Sequence, residues 1–94
     1  MRIRVIYLGV VRQKTGRGEE DYDLVDKSSL KDLLVKVAEK YPSLRDIIGS
    51  LGESLADPTL IAALNGASIK IAESDSIMLK DGDTITLMTV IGGG

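Results

Sequence analysis

Between Ser29 and Tyr41 the chain takes on a period that only one kind of element satisfies. Leu30, Leu33, Leu34, Val37, Ala38 and Tyr41 fall at i, i+3, i+4, i+7, i+8 and i+11, a single apolar stripe along three turns of helix. Ser29 with Asp32 three residues later predicts a capping box. Pro42 drives Tyr41 out of the α region, so both ends are marked. Lys31, Lys36, Glu39 and Lys40 cover the outer side.

The segments around this helix read mostly as strands. In residues 2–8, Ile3, Val5 and Tyr7 share one face while Arg2 and Arg4 begin the other, the alternation of a half-buried strand. Ile6 and Leu8 are left on that second face, either covered by another element or forming an exposed apolar patch for a partner. Residues 12–18 read as a basic, glycine-bearing connection. In residues 19–26, Tyr22 and Leu24 alternate with Asp21, Asp23 and Asp26, so the two strands form a hairpin with a short loop. Gly16-Arg17-Gly18 lacks the Gly-Lys-Ser/Thr ending of a phosphate loop, and Glu19-Glu20-Asp21 reads as a solvated strand start.

Beyond the helix, Leu44, Ile47, Ile48 and Leu51 predict a short helical turn, weakened by Gly49 and Gly52, followed by a loop closing at Asp57-Pro58. Residues 60–64 form a strand that turns at Asn65-Gly66 and returns briefly through Ile69 and Ile71. Lys80-Asp81-Gly82-Asp83 is a turn, since Asp81 and Asp83 lack the further ligands of a calcium loop. Ile85 and Leu87 then alternate with Thr84, Thr86 and Thr89 in a last strand, which continues through Met88, Val90 and Ile91 into Gly92, Gly93 and Gly94. The order predicts an α+β roll: a mixed sheet of four to five strands with one main helix across one face. The first and last strands pair in parallel at its centre, so the tail leaves from the middle of the sheet. Residues 1–91 make the domain and residues 92–94 a flexible tail.

Composition narrows the chemistry. The 94 residues include neither His nor Cys, which removes thiol nucleophiles, disulfides and the common transition-metal sites. A net charge of −2 with 3% aromatic residues supplies neither the footprint nor the stacking platform of a nucleic-acid binder. No run approaches the ~20 apolar residues of a membrane span. The apolar run after Arg2 and Arg4 is interrupted by Gly9 and lacks a cleavage site, so a cytoplasmic protein is expected. What remains is the Gly94 α-carboxylate, ionised at neutral pH with a reference pKa of ~3.3 to 3.7 and able to attack an activated phosphate if a partner supplies ATP. Met88, Val90, Ile91 and Gly92 flank its exit, and Ile6 and Leu8 extend this candidate partner surface.

The segments YLGVVRQKTG, SSLKDLLVKVAEKYP, LNG and LKDGDTITL, followed by the terminal GGG, together resemble the MoaD/ThiS group of ubiquitin-like sulfur carriers across nearly the whole chain. Within it the chain is most similar to molybdopterin synthase small subunits. The resemblance implies a β-grasp, ubiquitin-like fold and a non-catalytic subunit that holds no permanent cofactor. It further implies that a ubiquitin-activating-type enzyme uses ATP to adenylate Gly94, the second glycine of a pair with Gly93, and that a sulfur donor then makes the thiocarboxylate. By the same resemblance, the large subunit of molybdopterin synthase is expected to receive the tail and use the sulfur to build the dithiolene. The chain departs from the pattern where prolines often precede the glycine pair and Met88-Thr89-Val90-Ile91 stand instead. It departs again in the third glycine, Gly92, and at Leu8, where Phe is frequent. Two other functions share the fold and tail: a protein modifier joined to lysines through Gly94, and a thiamine-type carrier, whose shorter chains lack the 44–58 region.

Overall fold

The computed structural model describes residues 1–48 and 60–89. Strand β1 (Arg2–Tyr7) is followed by helix α1 (Gly9–Thr15), strand β2 (Glu19–Asp23) and the main helix α2 (Leu30–Lys40). A 3₁₀ turn (Pro42–Leu44) leads into the single turn α3 (Arg45–Ile48). Strands β3 (Leu60–Leu64) and β4 (Ala67–Ile69), a 3₁₀ turn (Ile71–Glu73) and strand β5 (Thr84–Thr89) complete the order. The strands form one mixed sheet in the order β2-β1-β5-β3-β4. Only β1 and β5 run parallel, bonded from Arg4 N to Asp83 O at 3.0 Å through Leu8 N to Leu87 O at 3.0 Å. This is the five-stranded β-grasp, ubiquitin-like roll, with β5 at its centre.

Helix α2 forms where its stripe and caps predict. Ser29 Oγ accepts from Asp32 N at 3.2 Å and Asp32 Oδ2 accepts from Ser29 N at 2.9 Å, closing the capping box. At the other end Tyr41 takes φ −123° and ψ 85°, outside the helical region as Pro42 requires. Leu30, Leu33, Leu34 and Val37 of the stripe form one core with Ile3, Val5 and Tyr7 of β1 and Ile85 and Leu87 of β5, and Ala38 is buried as well. Each of the Leu, Ile and Val side chains contributes roughly 1.5–3 kcal/mol through the apolar surface it withdraws from water. The Asn65-Gly66 turn has φ 51° and 88°, the positive pair that a tight hairpin needs. Asn65 Oδ1 also accepts from Thr84 N at 2.9 Å, tying that hairpin to the start of β5.

Three details depart from the sequence reading. Residues 12–18 are not simply a loop, because α1 occupies 9–15 between the paired strands β1 and β2. It is a helix for tertiary reasons: Val11 is buried against the core, and Gly16 at φ 72° ends it in the left-handed region with its N–H bonded to Arg12 O. Strand β2 stops at Asp23 rather than Asp26, since Lys27 at φ 68° turns the chain toward α2. Ile71 begins a 3₁₀ turn instead of extending β4. The expected turn at 80–83 forms: Asp83 Oδ2 accepts from Lys80 N at 2.7 Å, and Asp81 Oδ1 accepts from Arg2 N at 2.7 Å. Among the described residues no group of acidic side chains is placed to hold a metal.

Candidate functional site

Strand β5 carries the chain toward its carboxyl end from the middle of the sheet. Its last described residue, Thr89, pairs with Leu60 at the start of β3, and Met88 pairs with Ile61. On the opposite side Leu8 N donates to Leu87 O, which sets Leu8 beside Met88 and makes the beginning of α1 the second wall of the exit. Val90, Ile91, Gly92, Gly93 and Gly94 lie outside the described residues, as does the proposed boundary after residue 91.

The described members of the predicted surface come together. Alternation in β1 and β5 turns Ile6 and Met88 away from the core, both half-buried, and Leu8 is 39% exposed. The buried residues of these strands all belong to the opposite face, so Ile6 and Leu8 form part of an open patch rather than an interior contact. One row across the sheet reads Ile6, Thr86 and Ala63, and the next brings Met88 against Ile61. Ile61 and Ala63 therefore belong to the patch as well. Their signal in the sequence is weak, because residues 60–64 are apolar at every position and do not reveal which side chains face out.

Toward the other end the same face becomes charged. Arg4 Nε lies 3.4 Å from Glu19 and 3.7 Å from Asp21, and Arg2 Nε lies 3.9 Å from Asp23. These exposed pairs are worth at most about 1 kcal/mol each. With Asp81, Gly82 and Thr84 the arginines line a shallow cavity of about 330 Å³, at the end of β1 and β5 remote from the exit.

Beneath the exit end all three tyrosines of the chain gather on one carboxylate. Tyr7 donates to Glu20 Oε2 at 2.6 Å and Tyr22 to the same atom at 3.1 Å, while the two hydroxyls lie 2.8 Å apart. Lys40 Nζ donates to Glu20 Oε1 and sits 5.6 Å from the Tyr22 and Tyr41 ring centres. Glu20, expected to be solvated, instead has a side chain only 6% exposed. Burial alone would raise its carboxyl, but the bonds from Lys40 and the tyrosines outweigh that and bring it to about 2. Burial and the adjacent carboxylate push Tyr7 and Tyr22 well above the ordinary phenol range, so both remain neutral donors. The Tyr41 hydroxyl is raised in the same way, chiefly by burial; it stands near Glu20 without a hydrogen bond of normal geometry among the described residues. This cluster joins β1, β2 and α2 as a structural tie.

A protein-family model described as the ThiS family matches residues 5–94. The molybdopterin synthase sulfur carrier subunit of Chlamydomonas reinhardtii is 27% identical over 94 residues, covering 100% of both chains. SAMP1 from Haloferax volcanii superposes with a TM-score of 0.82 at 17% identity, covering 100% of each chain. A Helicobacter pylori structure of subunits 1 and 2 of molybdopterin-converting factor, a protein–protein complex, contains a chain matching at a TM-score of 0.61 and 24% identity, again over 100% of both chains. These two structures bear on the fold.

Proposed function

Because this chain belongs to the ThiS family, we propose that it is a sulfur carrier of the molybdopterin synthase small-subunit type, working through the carboxyl group of Gly94. The observation that carries the reading is the reach of the family match, which runs through residue 94 and so includes the glycines. Full-length coverage of a relative named as a molybdopterin synthase sulfur carrier subunit supports the same assignment. The chain has no Cys or His with which to perform the chemistry itself. It is the non-catalytic subunit, and its carboxylate is acted upon by partners.

The steps follow from that carboxylate. An oxygen of Gly94 attacks the α-phosphorus of ATP in an adenylating enzyme of the ubiquitin-activating type, and pyrophosphate leaves. A sulfide-level donor then attacks the carbonyl carbon and expels AMP, leaving a carbon–sulfur bond where a carbon–oxygen bond stood. Direct exchange would require oxide to leave, which is why ATP is consumed by the partner and no cofactor needs to reside in this chain. The adenylating enzyme must enclose the tail, since water would hydrolyse the acyl-adenylate, and the large synthase subunit must enclose it so that the thiocarboxylate sulfur reaches its acceptor rather than being lost to water. Glycines at 92–94 suit such closed sites because they offer no side chain to clash. Ile6, Leu8 and Met88 belong to the surface that seats against these partners, and Val90 and Ile91, which follow in sequence, are assigned to the same contact. We assign the exchange to the cytoplasm, where ATP is available and reduced sulfur persists.

The test is to incubate the protein with its adenylating enzyme, ATP and a sulfur donor and to record intact mass. Conversion of the Gly94 carboxylate to a thiocarboxylate is expected. A mass unchanged after ATP turnover would sink the proposal, and tryptic peptides of other proteins carrying residues 81–94 of this chain on a lysine would redirect it to covalent modification.

A further inference from the structure

The segment walling the exit has a charge pattern that the carrier chemistry leaves unused. Residues 9–18 hold Arg12, Lys14 and Arg17 and no acidic residue, in a chain whose net charge is −2. All three are exposed, and among the described residues none takes part in an ion pair. They stand on ordered backbone rather than on a loose loop. Thr15 Oγ1 donates to Arg17 O at 3.1 Å and accepts from Arg17 N at 3.2 Å, and Tyr7 N donates to Gly18 O at 2.8 Å. The Arg12 guanidinium lies over Gly18, its Cζ within ordinary contact distance, 3.6 Å, of a Cβ built there. Arg17 lies close enough to Tyr41 for its charge to act on that hydroxyl. The three cations thus crown the end of the molecule from which β5 delivers the chain, continuous through Leu8 with the apolar patch.

We infer that this crown of Arg12, Lys14 and Arg17 is a docking surface for an acidic protein surface around the mouth that receives the tail. The inference rests on the sulfur-carrier reading for the identity of the partners. Charge complementarity selects the occupant. Guanidinium groups hold carboxylates with two parallel bonds, and a patch of like charge beside a closed site raises the rate of productive encounter. A carrier that must visit more than one partner and leave again gains more from a faster approach than from slower dissociation, and electrostatic steering supplies the former.

The experiment measures association and dissociation rates of the wild-type chain with its adenylating enzyme and with its large synthase subunit, at about 0.05 M and 0.5 M salt. The variant Lys14→Glu/Arg17→Glu is compared with Lys31→Glu/Lys80→Glu, which changes net charge equally at the opposite end. Circular dichroism checks that both fold. A drop in association rate of about tenfold or more at low salt for the crown variant alone, closing at high salt with dissociation little changed, is the expected result. Equal rates for the crown variant and wild type overturn the inference and leave the carrier reading intact. A raised KM for ATP with unchanged association also overturns it, assigning the crown to nucleotide phosphate. If the wild-type chain binds neither partner, the carrier reading falls and takes this inference with it.

Discussion

Tyr7 and Ile6 are adjacent in β1, and Leu87 and Met88 are adjacent in β5, yet the members of each pair are fixed by different means. The inner set of Ile3, Val5, Tyr7, Ile85 and Leu87 is at most 1% exposed and is held by the stripe of α2. The outer set of Ile6, Thr86 and Met88 is half-buried and lies in register with its cross-strand neighbours on the face away from α2. The same backbone thus offers one face whose side chains are required for folding and another whose side chains are available to a partner. Stability and binding should therefore separate by the parity of residue number along these strands, which substitutions can break.

The largest effect is expected on the inner face. Leu87→Ala removes a side chain at the centre of the core and should cost about 2–5 kcal/mol, lowering the thermal midpoint by about 8 °C or more. Calorimetry reads this directly, and a loss below 1 kcal/mol would contradict the packing described. Next comes removal of Gly94, which should leave the thermal midpoint unchanged while retracting the terminal carboxylate by ~3.3–3.6 Å. Displacement on that scale predicts a fall in thiocarboxylate formation of about 100-fold or more, measured by intact mass against time. Similar rates for the two chains would remove Gly94 from the chemistry.

Third is the buried carboxylate on the inner side of β2. The Glu20 carboxyl is lowered from 4.5 to about 2 in the folded chain, so the unfolded state binds the proton first as pH falls. Its stabilisation is complete above about pH 4.5 and lost as pH falls through the folded value near 2; allowing for the half-exposed Lys40 partner, it amounts to about 2 kcal/mol. Denaturant titrations between pH 6 and pH 2 should show the decline, with tyrosine emission as the probe because all three tyrosines sit in this cluster. Glu20→Gln should flatten that dependence. An equally steep decline in the variant would show that other carboxylates govern it.

These contrasts also explain what the sequence reveals and what it hides. Helix α2 is legible because a long stripe, a capping box and Pro42 all agree on its limits, and β5 is legible because Thr and aliphatic residues alternate cleanly. Helix α1 is hidden because its two apolar residues, Val10 and Val11, are consecutive and fit no period, while the burial of Val11 depends on β5 and the Pro42–Leu44 turn, distant in sequence. Glu20 is misread for a similar reason. Its partners come from β1, β2 and α2, and no local window contains Tyr7, Tyr22 and Lys40 together. At the exit Leu8 and Met88 can be read from alternation alone, whereas Ile61 and Ala63 join them only through the register of β3 on β5. Sequence pattern assigns a side chain to a face; pairing register decides which side chains on that face become neighbours.

The smallest effect tests the outer face. Met88→Asp puts a charge beside Ile61 and Leu8 without entering the core, so its cost in stability should stay within about 1 kcal/mol. If the patch seats against a partner, that charge must be desolvated in the complex, weakening affinity for the large synthase subunit by about tenfold or more. Ile6→Asp, in the neighbouring row across the sheet, should behave alike but less strongly, because Thr86 and Glu19 already make its surroundings partly polar. Titration calorimetry of both variants against the wild-type chain measures the difference. Unchanged affinity in both would confine recognition to the tail and α1, and a large loss of stability would mean that the outer side chains carry more of the fold than their exposure indicates.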